Sequence, residues 1–384
     1  MKNIPQDVIE YVQSLYWQMH QHPEIGFDLP WTAAFVEKEL DAMGVAHTNK
    51  YGTCSVVAQL GDRKDVPTVG LRADMDALPV HEIADVELKS TIDGVMHACG
   101  HDSHTAILLG VIKLLKDRVE ELPCNVRFFF QPSEEGAVSG AKMMVDNGCL
   151  EGVDAVACTH CELTIPTGTI GYHYGPLMAA CAPITLIFHG VTSHATLPER
   201  GVDAVAMAVE SYYALKEMVK EEAGDRPYIW QVGKFAGGDV HNVIPDICTQ
   251  EISFRFYDAE FAERVHQRIL VIIDEIAKRF GGRAELQWRV STCALINDTM
   301  VVDNLVNSLK PVEAVELVEV PMKRSSEDFA WFTDQRPGML FRYGSYNPEK
   351  GCTATPHRPD FKLDMDAFQY AMLAFVNFVE NFKM

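Results

Sequence analysis

Basic residues are scarce in this chain: 33 Lys and Arg stand against 54 Asp and Glu in 384 residues, a net charge of −21. A protein that gripped a phosphate backbone would need the opposite surplus, so nucleic acid is not an expected partner. Long apolar runs are also missing. No stretch approaches the roughly 18 consecutive apolar residues that span a bilayer, so no membrane partner is expected either. The N-terminal MKNIPQDVIEYVQSLYW has acidic and polar breaks where a secretory signal would carry an apolar core. The cytoplasm is therefore the expected location. Disulfide-framework spacing is absent: the ten cysteines are scattered, as reduced thiols would be, most of them small core residues. There is no low-complexity segment and no repeat of fixed period. What remains is an ordinary globular composition, long enough for two or three domain-sized units around a cleft.

The first 180 residues alternate between two periodicities. Ile9 to Met19, Thr32 to Met43, His104 to Leu115 and Gly140 to Asp146 have helical spacing. Ser55–Leu60, Val66–Leu71, Asn125–Phe130 and Val153–Cys158 read as strands. Strands separated by helices imply crossovers and a mostly parallel sheet, an α/β domain. From Pro183 the order becomes β-α-β-β-α-β, ending in a strand at Ala284–Val290, which predicts a smaller inserted α+β domain of ferredoxin-like type. The C-terminal part again reads as α/β, with helices at Thr299–Leu309, Ser326–Phe332 and Asp366–Phe382 and a strand at Gly338–Tyr343. The expected organisation is one domain from 1–180 and 294–384, interrupted by a second over 181–293.

Four clusters could carry chemistry. Asp74 and Asp76 follow the strand around Val69, where open parallel sheets gather functional side chains, although two Asp after a strand also suit a plain turn. In Met96-His97-Ala98-Cys99-Gly100-His101-Asp102-Ser103-His104, an extended backbone would point Cys99 and His101 the same way. A thiolate and an imidazole suit a borderline divalent ion; the alternative is a polar helix start with a buried Cys. Phe128-Phe129-Phe130-Gln131-Pro132-Ser133-Glu134-Glu135-Gly136 runs an apolar strand into adjacent carboxylates. If buried, these need a cation, leaving one as ligand and the other as base; if exposed, they are an acidic loop. His160 follows the strand ending at Cys158, and His357 sits between two prolines that restrict its backbone. Cys158 and Cys161 form a lone CxxC, too little for a structural zinc site, and a redox role for the pair predicts sensitivity to thiol alkylation rather than to chelators.

Taken together the segments resemble the aminoacylase and carboxypeptidase family of two-metal metallopeptidases, and within it the amidohydrolase branch of N-acyl-amino-acid, hippurate and indole-acetyl-amino-acid hydrolases. The resemblance rests on His20-Gln-His22-Pro23-Glu24, Arg72-Ala-Asp74-Met-Asp76-Ala-Leu-Pro79, His97-Ala-Cys99-Gly-His101-Asp102 and Gln131-Pro-Ser-Glu134-Glu135-Gly136. It continues through Ser193-His194-Ala195, Asn242-Val-Ile-Pro245, Ser326-Glu327-Asp328-Phe329 and His357-Arg-Pro359. It implies two divalent ions per subunit (Zn, Mn, Ni or Co) held by Cys99, His101, Glu135, His160 and His357 with a water between them. Glu134 is implied as general base and Asp76 in support. Related branches place a histidine ligand where this chain has Asp74, which is therefore left out of the ligand set.

In the inserted domain the resemblance implies that His194 steadies the oxyanion of the scissile carbonyl, and that in dimeric members it comes from the partner subunit. Along Ile252-Ser-Phe254-Arg255-Phe256, alternation turns Arg255 away from the apolar face, free to bind a substrate carboxylate or to sit solvated on the sheet. Asn242 would help hold the carbonyl or carboxylate; without the resemblance it reads equally as a turn residue. The chain departs from the family at Glu199, where a histidine is usual, and at Cys161, where Val or Trp is common; both are expected to bear on specificity. The implied activity is metal-dependent hydrolysis of an N-acyl amino acid or similar small amide. The alternatives are a dipeptidase or carboxypeptidase of the same architecture and a non-catalytic small-ligand-binding relative. A homodimer, or a higher homo-oligomer, through the inserted domain is expected.

Overall fold

A computed structural model describes the whole chain, Met1 to Met384. It divides into two compact units: Met1–Leu177 with Ile296–Met322 and Glu327–Met384, and Met178–Leu295 with Lys323–Ser326. The first is the α/β unit the alternation predicts. Its eight-stranded sheet runs in the order His47–Thr48, Val56–Leu60, Asn125–Gln131, Thr68–Asp74, Ala155–Pro166, Gly338–Tyr346, Thr169–Tyr172, Glu316–Glu319. The four middle strands, from Asn125–Gln131 to Gly338–Tyr346, are parallel. They are buried on both faces, as in Phe128, Phe129 and Phe130, which explains why they read as continuous apolar runs rather than alternating ones.

The strand Thr68–Asp74 has Asn125–Gln131 on one side and Ala155–Pro166 on the other. The chain therefore leaves this strand toward one neighbour and returns on the far side for the next. Such a change of direction opens a crevice beyond the carboxyl ends. Asp76, Glu134 and Glu135 lie just past two of these ends.

Behind the sheet, the helix His101–Leu115 is buried along nearly its whole length, against the helices Gln6–His20 and Phe368–Glu380. Gly110 permits this. A Cβ there would lie 2.4 Å from Val12 Cγ2 and 2.7 Å from Met372 Sδ. This helix begins at His101, not His104 as the periodicity suggested, because Gly100 takes a left-handed turn (φ 87°) and starts it early. Cys99 and His101 therefore converge across a turn rather than along an extended segment. The segment Ser326–Phe332 is not one helix: only Ala330–Thr333 is helical, and Glu327 and Asp328 turn inward to Arg72.

His20 closes the N-terminal helix and is buried with two acids: Nδ1 lies 2.7 Å from Asp102 Oδ2 and Nε2 3.1 Å from Glu82 Oε1. Burial opposes its charge, but these two hydrogen bonds outweigh it and raise its pKa to about 9 from 6.5. A raised folded-state pKa gives stability that is complete below about pH 6.5 and lost as pH rises through 9. His20→Gln should therefore cost about 3 kcal/mol near pH 6, with the gap to the native chain narrowing toward pH 10. Urea unfolding across that range checks it; a gap independent of pH would mean that His20 carries no buried charge.

The second unit has a four-stranded antiparallel sheet in the order Ile229–Gly237, Ile247–Phe256, Ala180–His189, Arg283–Trp288. Helices Ala204–Ala223 and Ala259–Phe280 cover one face, giving the expected ferredoxin-like βαββαβ order. Asp258 caps the second helix by accepting from Glu260 and Phe261 N–H, and Gly281 ends it in a left-handed conformation. No helix of the chain is long and apolar enough to cross a membrane.

Candidate metal centre

The loop after Gln131 is tightly built. Ser133 has a positive φ of 52°, its Oγ donates to Val138 O at 2.8 Å, and its carbonyl accepts from Gly140 N–H at 2.9 Å. A Cβ on Gly140 would lie 1.7 Å from Pro132 O, so only glycine lets the chain pass there. The carboxylate of Asp76 holds the loop from the neighbouring strand end, accepting Glu134 N–H at 2.9 Å and Glu135 N–H at 3.0 Å. The backbone carbonyl of Asp76 takes His101 Nδ1–H at 2.8 Å, so Nε2 is the nitrogen presented to the site.

Three donor groups then overlap. Cys99, His101 and His160 place one ligand atom each within 4.8 Å of one another; so do Cys99, Glu135 and His357, and so do His101, Glu134 and Glu135. Cys99 is common to the first two. Its Sγ lies 3.4 Å from His160 Nε2. His160 Nδ1–H donates to Cys161 O at 2.8 Å, so Nε2 is the atom presented. His357, with a φ of 71°, is tied to the cysteine segment by its N–H on Ala98 O at 2.7 Å, and its Nε2 is 2.9 Å from Glu135 Oε1. Strained backbone at Ser133 and His357 is the kind that clusters at working sites.

The donor set fits divalent cations. His101 Nε2 is buried without a hydrogen-bond partner, 3.6 Å from Asp74 Oδ2 and 3.9 Å from Glu134 Oε2. A buried, unpartnered ring nitrogen facing carboxylates beside a thiol marks a place that calls for positive charge, and against the cost of burial Asp74, Cys99 and Asp76 raise the His101 pKa accordingly. Burial, followed by the carboxylates of Glu327, Glu135 and Asp328, pushes the Glu134 carboxyl up. Against the cost of burial, His357 and His101 hold Glu135 below its ordinary range. Burial and the nearby Arg342 keep His160 neutral, the form that binds metal.

All six residues expected around the ions thus come together in the first unit. His160 is not at a strand end, however: its strand continues to Pro166. It reaches the centre because Cys158 is level with Arg72, two residues before the neighbouring strand stops at Asp74. Cys161, expected to shape a substrate pocket, lies instead behind the Cys99–Gly100 turn. It is buried, its Sγ donates to Cys99 O at 3.2 Å, and a Cβ on Gly100 would come within 2.9 Å of that sulfur.

His194, Asn242 and Arg255 belong to the second unit. His194 pairs with Val243 in a short ladder, and Asn242 O accepts from Ala195 N–H at 3.0 Å, so these two lie side by side. Thr196, which the sequence reading passed over, contacts His194 Nδ1 through its Oγ1 at 2.8 Å. Arg255 points away from the apolar face, and its Nη1 donates to Ser326 Oγ at 2.6 Å. Glu199 is exposed in the turn Pro198–Arg200.

Sequence reasoning also passed over the buried network beneath the loop. Arg72 donates to Gln131 Oε1, Asp74 Oδ2 and Asp328 Oδ1 at 2.8, 2.7 and 2.9 Å. Asp328 further accepts from Ser139 Oγ at 2.6 Å, tying both ends of the loop that carries Glu134 and Glu135. The one available signal was an arginine inside an otherwise apolar strand, which has to find buried acids.

Comparison with known proteins gives a consistent result. The model for peptidase family M20/M25/M40 matches residues 70–381. An N-acetyl-L-cysteine deacetylase of Bacillus subtilis is 33% identical over 350 residues, covering 91% of this chain and 82% of that protein. An IAA-amino acid hydrolase of Arabidopsis thaliana is 34% identical over 371 residues, covering 95% and 85%. Among solved structures, a dinuclear metal-binding peptidase of the M20 family from Bacillus subtilis superposes with a TM-score of 0.86 at 28% identity, over 98% of this chain and 100% of that one.

Proposed function

Since the chain belongs to peptidase family M20/M25/M40, we infer that it is a metal-dependent amidohydrolase that cleaves the amide bond of N-acyl amino acids. The observation that carries this reading is the sharing of Cys99 between two donor triads beside an acid, Glu134, that completes neither. In it Cys99, His101 and His160 would hold one divalent ion, and Cys99, Glu135 and His357 would hold the other. Ions bound there would polarise the scissile carbonyl and bring the pKa of water toward about 7. Glu134 takes the proton from the attacking water and delivers it to the leaving amine. Asp76 keeps Glu134 and Glu135 in place through their two backbone N–H groups. His194 contributes the oxyanion donor, and Arg255 and Asn242 bind the substrate carboxylate. Borderline donors of this mixed S, N and O kind suit Zn, Mn, Ni or Co alike.

The same reading makes the protein a homodimer through its second unit. The edge strand Ile229–Gly237 is largely exposed, with Phe235 on it, and the helix Ala204–Ala223 shows Val209 and Tyr213 one turn apart at its surface. An open edge of that length is a template for pairing with another chain. The cytoplasm is the compartment proposed, a reducing one that suits a chain with ten cysteines and no disulfide framework.

A metal-reconstituted assay against N-acetyl, N-benzoyl and indole-acetyl amino acids and a panel of dipeptides tests the activity. Chelation should abolish turnover, and added Mn or Zn should restore it. Turnover indifferent to chelation would remove the reading, and dipeptides cleaved faster than every acyl amino acid would favour the peptidase alternative. Mixing inactive His194→Ala with inactive Glu134→Gln chains should recover activity if His194 acts across the dimer; verified heterodimers without recovery would place it within one chain.

A further inference from the structure

We propose that Asp74 and His104 form a buried pair that positions the ring of His160 for metal binding, acting through the backbone of Cys161. This goes beyond the hydrolase reading and rests on it for the role of His160. Asp74 is fully buried at its strand end, and His104 is 1% exposed inside the helix His101–Leu115. The Cys161 N–H donates to His104 Nε2 at 3.1 Å. A peptide N–H can only donate, so Nε2 is the unprotonated nitrogen and Nδ1 carries the hydrogen. Nδ1–H donates to Asp74 Oδ1 at 2.6 Å, while Asp74 Oδ2 accepts from Arg72 Nη1 at 2.7 Å.

Cys161 is thereby clamped at both of its amide groups. Its N–H is fixed by His104, and its C=O accepts from His160 Nδ1 at 2.8 Å. That second bond selects the His160 tautomer and aims its Nε2 toward Cys99 Sγ, 3.4 Å away. His104 could itself be counted among metal donors, since it groups with His160 and Cys161 and also with Asp74 and His101. Both its nitrogens are engaged inside the protein, however, so no lone pair is left for an ion. Each oxygen of Asp74 accepts one bond, Oδ1 from His104 and Oδ2 from Arg72. The pair stands one step behind the metal and orients what touches it, the role that outer hydrogen bonds play at metal sites.

The arrangement can be broken without changing shape. Asp74→Asn has a single acceptor for two donors. If its oxygen stays on Arg72, its NH2 faces His104 Nδ1 and forces the proton to Nε2, where it opposes the Cys161 N–H. If the oxygen turns to His104, the NH2 faces the Arg72 guanidinium instead. His104→Leu leaves the Cys161 N–H buried without an acceptor. His104→Gln offers a carbonyl oxygen to the same N–H.

The test is titration of the metal-free full chain with Co(II), with affinity read by chelator competition and geometry by the thiolate charge-transfer and ligand-field absorption. Asp74→Asn and His104→Leu should weaken one of the Co(II) ions by about 10–100-fold and shift its bands, with His104→Gln close to native. Native affinity and unshifted bands in Asp74→Asn and His104→Leu would overturn the proposal. If Asp74→Asn does not fold, His104→Leu against His104→Gln decides, and equal binding by those two refutes it. If no variant folds, the pair is a fold determinant and the proposal falls. A native chain that bound no Co(II) would remove the hydrolase reading itself, whereas native binding that the variants leave unaltered removes this inference alone.

Discussion

Glu134→Gln should lower kcat by about 10²–10⁴-fold while the metal content of the chain stays native. Glutamine keeps the size of the side chain and the backbone N–H that Asp76 holds, so the loop geometry survives. What disappears is the ability to take up a proton and give it back. The carboxyl of Glu134 is held above its usual range by burial and by the Glu327, Glu135 and Asp328 carboxylates, which suits a group that must carry a proton from water to a leaving amine. The expected loss is about 3–5 kcal/mol of transition-state stabilisation. A variant that kept most of its turnover with its metal in place would exclude Glu134 as the base.

Removing Cys99 should have a larger effect, and on a different quantity. Cys99 is the one residue common to the Cys99–His101–His160 and Cys99–Glu135–His357 groups, so Cys99→Ala takes a donor from each at once. On the two-ion reading, metal content should fall toward none, and activity with it. Cys99→Asp restores an anionic donor at the same place and should recover part of the binding. Thermal unfolding supplies a readout independent of catalysis. Metal at about 1,000 times its Kd stabilises a native fold by about 4 kcal/mol, and Cys99→Ala should not show that gain. Metal analysis and melting curves that are the same for Cys99→Ala and the native chain would place the ions elsewhere.

The two experiments separate two kinds of residue in one small volume. Glu134 and Glu135 are neighbours in sequence, held by the two oxygens of one carboxylate, yet Glu135 reaches His357 and Glu134 does not. Both carboxylates nevertheless reach one centre, each placing an oxygen within 4.8 Å of a His101 ring nitrogen, past the turn at Ser133 with its positive φ. That turn depends on the Arg72–Asp328–Ser139 contacts that keep both its ends in place.

Much of this was open to reading from the residues. Strands alternating with helices announced a mostly parallel sheet, and alternation along residues 252–256 turned Arg255 away from the core. The density of His, Cys, Asp and Glu at Cys99–His104 and Ser133–Glu135 marked the places where charge has to be neutralised. Local pattern failed where partners are distant in sequence. His160 looked like the residue after a strand, because nothing local says that its strand outruns its neighbour. His104 and Asp74 looked like a helix residue and a turn residue, and their bond spans 30 positions. His20 gave no sign of its two acids, 62 and 82 residues away.

Composition, periodicity and the short motifs were thus enough for most of the longer elements and their order, because those depend on residues close together in the chain, but not for the short strands His47–Thr48, Thr169–Tyr172 and Glu316–Glu319. Which nitrogen of each histidine is tied to the backbone and which acids are neutralised by Arg72 were settled by packing. Those outcomes depend on hydrogen bonds between strand ends that meet only once the sheet has formed, and a buried donor accepts whichever partner the fold brings within reach.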